Sequence, residues 1–454
     1  MARYPHLSMP SESAGFRPLG FVEHLLRSAH RFGGFQMARA VLLDGDIELE
    51  VLRRAVRSVQ LRHPLLCASI GTQGGLVGFH VSRSADDVEL IVVDREDAGQ
   101  WQRVMLRWAS VPYDEGKLLW RIIWVRREGE AESELILAMH HSIGDGRSAT
   151  QIITEIVTLL ASPADHIVTP LSLTPSADRF CTDQNWVRCL RFWINVYRQA
   201  FLPPAALFEL DEIADADARR SSATFRSLSA DDSRLLFQMC RSQGTSVYGA
   251  LCAAMLTRAW REIGASRESM SVHANCDLRR RVVPPLPQEL VGCFIYWVDL
   301  RYRLSGREPF WELARRCTRD MQRRIRHCGM PPTIIATQRL WLNRAAEMMM
   351  RRSANNARGG RTDTIGISNL GRISGLHDNE AVRIRGMHTL TSQHAFGVCM
   401  ALFGLTLANR LSLSFLHPVP VISSLRAERF ADAIVTILQT IVADTAIDVR
   451  RLAD

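Results

Sequence analysis

The chain has 454 residues, 47% hydrophobic and 23% charged, with a formal charge of +9. That balance belongs to a soluble globular protein long enough for two domains of ordinary size. The N-terminus lacks the apolar core of a signal peptide, no run is long enough to span a membrane, and the ten scattered cysteines form no CxxC pair. A metal centre is therefore not expected, and reduced thiols in a cytoplasmic protein are the simplest account.

Residues 1 to 17 read as a loose polar lead. Met37 to Leu43 then reads as a strand, with Asp44-Gly45 as the turn after it. A helix follows with Leu49, Leu52, Val56 and Val59 on one face, and His63-Pro64 stops it. Leu66 to Ile70, Leu76 to Val81 and Val88 to Val93 read as strands, and Trp101 to Trp108 as a helix. The apolar run Leu118 to Val125 reads as a strand joined to the next through the polar turn Arg127-Glu128-Gly129-Glu130.

The next stretch carries the chemistry. Ser133 to Ala138 reads as a short buried strand, and Met139-His140-His141-Ser142-Ile143-Gly144-Asp145-Gly146 follows it directly. Ile152, Ile153, Ile156, Leu159 and Leu160 then recur at helical spacing. Two histidines thus sit where a strand gives way to a tight turn that opens a helix. Adjacent residues leaving a strand point to opposite faces, so one histidine can face a substrate and the other the core. A neutral imidazole takes a proton near neutral pH. Asp145 can pin the loop through an arginine elsewhere or orient a histidine directly, and Gly146 spares the turn a Cβ clash.

The helix after this turn ends near Ala161-Ser162-Pro163, and residues to about Asp183 are rich in Ser, Thr, Pro and Asp. That stretch reads as a linker, with Trp186 to Phe201 as a helix docked beside it and Asp211 to Arg220 as a surface loop. Ser229 is a candidate N-cap for a helix through Ser242. Ser271 to Arg281 reads as a strand running into a basic turn, Gly292 to Leu300 as a strand, and Ile365 to Arg372 as a strand ending in Ser368-Asn369-Leu370-Gly371. His394 to Leu407 and Leu411 to Leu416 are late strands, and Leu425 to Val442 is a closing amphipathic helix. Strands interleaved with helices in this order make the chain α/β.

HHxxxDG after an apolar strand resembles the signature of the condensation-domain and acyltransferase superfamily. That group includes nonribosomal peptide condensation domains, polyketide-associated acyltransferases, wax ester synthases and, more distantly, chloramphenicol acetyltransferase. The opening of the chain, a strand followed by Asp44-Gly45-Asp46-Ile47, an amphipathic helix and Arg62-His63-Pro64-Leu65-Leu66, is similar to that of condensation-type enzymes, as is Gly244-Thr245-Ser246 at the start of a buried helix. The resemblance implies two chloramphenicol acetyltransferase-like lobes forming a V-shaped pseudo-dimer with a central tunnel. It places an N-terminal lobe at 1–175, a linker and docking helix at 176–222, and a C-terminal lobe at 223–454.

The same resemblance implies an enzyme that moves an acyl group from a thioester to a hydroxyl or amine. His141 would be the general base or would position the nucleophile, with His140 and Asp145 as supports and Gly146 keeping the turn tight. Arg279, with Arg281 second, would pair with Asp145. Ser368, Asn369 and Gly371 would line the substrate path or form a strand-ending turn. The donor would be acyl-coenzyme A or an acyl group on the phosphopantetheine of a carrier protein acting in trans, with no permanently bound cofactor and no metal. The acceptor would be a small alcohol or amine.

A monomer is expected, with no membrane span. The arginine-rich segment from Glu312 to His327 suits coenzyme A phosphates, an acidic carrier or simply a solvated helix face. No nucleic-acid motif accompanies it, so nucleic acid is not expected. The rival reading is a non-catalytic, condensation-like module that binds a carrier-bound chain or partner, and an epimerising or cyclising variant of the fold also stays open.

Overall fold

The computed structural model describes residues 15–82, 88–161, 169–180, 194, 203–264, 269–282, 285–327, 347–348, 350–443 and 447–453. The first half contains β1 (Phe16–Pro18), α1 (Phe21–Arg31), β2 (Gln36–Asp44), α2 (Leu49–Arg62), β3 (Ala68–Gln73), β4 (Leu76–Val81), β5 (Leu90–Asp94), α3 (Gln100–Trp108), β6 (Trp120–Arg126), β7 (Glu132–His140) and α4 (Gly146–Ala161). The second half contains β8 (Arg220–Ser227), α5 (Ala230–Ser242), α6 (Val247–Ile263), β9 (Met270–Asp277), β10 (Ile295–Tyr302), α7 (Phe310–His327), β11 (Arg361–Arg372), β12 (Arg383–Thr391), β13 (Gly397–Leu407), β14 (Arg410–Val419), α8 (Ser424–Ala443) and α9 (Val449–Ala453).

Local chemistry explains most of these bounds. Proline at position 64 closes α2, and Pro64–Cys67 forms a 3-10 turn, so the strand expected from Leu66 starts only at Ala68. Ser229 Oγ accepts from Asp232 N at 3.0 Å and starts α5, and Ser246 Oγ accepts from Gly249 N at 3.1 Å and starts α6. Residues 16 to 18 are not loose: β1 pairs antiparallel with β4 in a three-stranded sheet ordered β1-β4-β3. The helix expected over Trp186 to Phe201 lies outside the described residues apart from Ile194.

Two larger sheets carry the architecture. One has the order β12-β2-β7-β6-β5 and the other β10-β9-β11-β13-β14-β8. The apolar stripes of α2 and α4 bury Leu52, Val56, Ile152 and Ile156 against the first sheet. In the second, the nearly all-apolar α6 packs under Val272, Ile365 and Leu402. A third cluster joins the two through Trp101 of α3, Phe225 of β8 and Phe403 of β13.

The sheets do not respect the expected division at residue 223. After β11 the chain leaves the second sheet and lays β12 antiparallel to β2, from Arg383 opposite Asp44 to Thr391 opposite Met37. It then returns as β13. The crossing pairs backbone groups of β2 that would otherwise form an open edge, so the 223–454 segment supplies one strand of the first sheet. No described helix is long and apolar enough to cross a membrane.

Candidate active site

His140 is the last residue of β7, and the two histidines diverge as the strand's alternation requires. His140 is fully buried. Ser142 N donates to its Nδ1 at 3.1 Å and the Ser142 hydroxyl lies 2.7 Å from the same nitrogen. A backbone donor makes Nδ1 an acceptor, which leaves the proton on Nε2. The ring packs edge-on against His30 at 4.5 Å between centroids. Burial first, then the neighbouring His30 and His141, holds its pKa well below the ordinary 6.5, so it stays neutral.

His141 points the other way and lines two pockets. Its Nδ1 is buried beside the carbonyls of His141 and Gly144 without a hydrogen bond of good geometry, so Nε2 is the ring nitrogen left to face the pockets. Burial lowers its pKa below 6.5, and the carbonyls and the Asp145 charge offset part of that shift. A neutral ring at neutral pH follows.

Asp145 does not bond to either histidine. Its Oδ1 accepts from Arg147 N at 3.1 Å and Ser148 N at 2.9 Å, so it caps α4. Its Oδ2 accepts from Arg279 Nη1 at 2.7 Å and Phe294 N at 2.9 Å, both in the second half of the chain. Arg279 is wholly buried and also donates to Leu290 O at 2.7 Å, Asp277 Oδ1 at 3.0 Å and Ser148 Oγ at 3.1 Å. Burial alone would raise the Asp145 pKa, but the Arg279 charge and these hydrogen bonds hold it below the usual carboxylate value. Arg281 is exposed. Gly146 sits where a Cβ would come within 2.5 Å of Leu370 Cδ2 from the second half of the chain.

The two pockets differ in character. The first, of about 190 Å³, is lined by Leu26, Ala29, Phe35, Trp297, Met350 and Phe396, with His273, Asn275, Asp363 and Gln393 among its polar residues. The second, of about 90 Å³, is lined by Met37, Arg147, Asp277, Ser368, Asn369 and Thr389. His141, Asn275, Ile295 and Thr391 belong to both, so the pockets meet at His141. Ser368 and Asn369 thus share a pocket with His141. Gly371 does not line it: its N–H donates to Asn369 Oδ1 at 3.0 Å in a turn with φ of 72°.

One wall of the site escaped the sequence reading. Along β9, Asp277, Asn275 and His273 face the pockets, and their cross-strand partners on β10 are Ile295, Trp297 and Asp299. Alternation alone predicts that these residues share a face, but nothing in the sequence says that this face looks at His141. Among the described residues the Asn275 amide has no hydrogen-bond partner. His63, outside the site, bonds Glu155 Oε2 at 2.8 Å and ties α2 to α4.

A family model described as "Condensation domain" matches residues 25–347. The chain is 24% identical over 339 residues, 69% of its length, to a probable non-canonical nonribosomal peptide synthetase, CymA, of Salinispora arenicola. It spans only 4% of that protein. Among solved structures it is similar to the first condensation domain of the CDA synthetase, with a TM-score of 0.72, 15% identity and coverage of 97% of this chain and 99% of that one. It is similar also to polyketide synthase associated protein 5 from Mycobacterium tuberculosis, with a TM-score of 0.70, 14% identity and coverage of 94% and 98%.

Proposed function

The chain belongs to the condensation-domain family, and on that premise we propose that it transfers an acyl group from a thioester to a hydroxyl or amine, with His141 as the base. The observation that carries this reading is that His141, buried and neutral, borders two pockets of different chemistry at once. A donor arm in one and an acceptor in the other would bring the thioester carbonyl and the nucleophile together beside the same imidazole.

The acceptor oxygen or nitrogen attacks the carbonyl carbon as its proton passes to His141 Nε2. The tetrahedral intermediate then collapses, the carbon–sulfur bond breaks, and the imidazolium returns the proton to the departing thiolate. No acyl-enzyme forms. Asn275, bordering both pockets with an unengaged amide, is placed to donate to the carbonyl oxygen as its charge develops. Asp145 and Arg279 act at a distance, fixing the turn that carries His141. The donor is an acyl-coenzyme A or an acyl group on a carrier protein supplied in trans.

The test offers acyl-coenzyme A and acylated carrier-protein donors with simple alcohol and amine acceptors, and reads product ester or amide by mass spectrometry. Product from any pair, abolished in His141→Ala, supports the reading. Binding of an acylated carrier without product from any pair contradicts it in favour of a recruiting module.

A further inference from the structure

The apolar pocket beside His141 ends in a polar group that the transfer chemistry does not use. His273 Nδ1 lies 2.8 Å from Asp299 Oδ1, and the two are direct cross-strand partners. Burial would lower the pKa of His273, but the Asp299 hydrogen bond and charge, with Asp363 adding to them, raise it instead. Asp299 is in turn drawn to Arg324 and Arg301, so that corner is close to electrically balanced.

Asp363 has no fixed counter-ion in this pocket, where the charge that reaches it is that of His273 when protonated. It is the only acidic side chain lining this pocket among the described residues, and no described Lys or Arg lines it. Its hydrogen bond comes from Thr362 Oγ1 at 2.9 Å. The nearest arginine in sequence, Arg361, spends its guanidinium on the carbonyls of Gln393, His394 and Val398 at 2.7 to 3.1 Å. Three aromatic rings, Phe35, Phe396 and Trp297, wall the same pocket, and Phe35 and Phe396 lie 5.3 Å apart between centroids. A carboxylate without a lysine or arginine, set among aromatic faces, attracts an ammonium group through both charge and ring quadrupole.

We propose that this pocket takes a difunctional substrate: a nucleophile or acyl end at His141, an apolar body against the aromatic rings, and a non-reacting ammonium group at Asp363. His273 precedes Asn275 by two residues on the same face of β9, so it stands roughly 7 Å further from the reacting end. The ammonium therefore marks the far end of the substrate and is not the attacking amine. His273, its Nδ1 turned to Asp299, presents Nε2 as an acceptor for the ammonium in its neutral form only. The inference deepens the acyl-transfer reading by naming the substrate class of this pocket, and rests on that reading only for which end reacts.

The test is a binding titration that needs no turnover, so its failure is separate from failure of the transfer reaction. Three probes share one phenol body and differ in the tail: tyramine is cationic, tyrosol neutral and 3-(4-hydroxyphenyl)propionate anionic. The wild-type protein should bind tyramine about tenfold or more tightly than tyrosol, the increment of one charge-assisted contact, and the anion most weakly. Asp363→Asn, an isosteric change at a partly exposed site whose folding is checked by thermal unfolding, should bring tyramine and tyrosol to near-equal affinity. Equal affinities in the wild type, binding of none of the probes, preference for the anion, or a tyramine preference that survives in Asp363→Asn would each overturn the proposal.

Discussion

Arg279 Nη1 lies 2.7 Å from Asp145 Oδ2, and the pair joins the turn after β7 to the turn after β9, which leave different sheets. Both side chains are almost wholly buried, at 0% and 2% exposure. Breaking such a pair strands a charge in the interior, which costs about 3–5 kcal/mol. Arg279→Met should lose about that much stability to urea and also displace His141. Replacing both residues, Asp145→Leu with Arg279→Met, should destabilise by less than the sum of the single changes. Additive losses would mean that the two residues act independently.

Stability should fall on acidification. Burial lowers the pKa values of His388 and His417 to about 4, and burial with nearby arginines lowers that of His394 to about 4. For each, the unfolded state binds the proton more readily between pH 6.5 and 4. Their contribution is therefore complete above 6.5 and lost as pH falls towards 4, on the order of 2 kcal/mol each by pH 5. Asp178 opposes this. Burial raises its pKa to about 6, so its folded form gains stability as pH falls below 6. One aspartate does not offset three histidines, so urea midpoints at pH 5 should lie below those at pH 7. An unchanged midpoint would contradict this balance.

Gly146 marks the tightest approach between the turn and β11. A valine there would drive its side chain into Leu370 and cost roughly 1–3 kcal/mol. Leu370→Ala should recover part of that loss in the double variant, because the obstructing atoms are the end of a flexible side chain. Thermal unfolding of the four proteins checks it.

If Asn275 holds the carbonyl oxygen, Asn275→Ala should lower kcat by roughly 10²-fold with little change in KM, as expected for a donor used in the transition state. A rise in KM with kcat unchanged would make Asn275 a substrate-binding residue instead.

The strand, turn and helix around the histidine pair were legible because each has local causes: apolar continuity in β7, a glycine-bearing turn, and 3.6-residue periodicity in α4. The cap at Ser229 could be read for the same reason. What could not be read depends on long-range pairing. Nothing local to Arg383–Thr391 says that it will leave its own half of the chain to pair with β2. The face shared by His273, Asn275 and Trp297 is set by alternation, but its orientation towards His141 follows from the packing of one sheet on the other. Gly371 illustrates the limit at single-residue scale: Ser368 and Asn369 reach the pocket, while Gly371 serves the turn that follows.

The most direct measurement compares thiol release from the acyl donor by the wild-type protein and by His141→Ala, at matched folded concentration. The account predicts release that depends on the acceptor and falls by about 10²–10⁴-fold in the variant, with thermal stability little changed. Acceptor-dependent release that His141→Ala retains at the wild-type rate would contradict it.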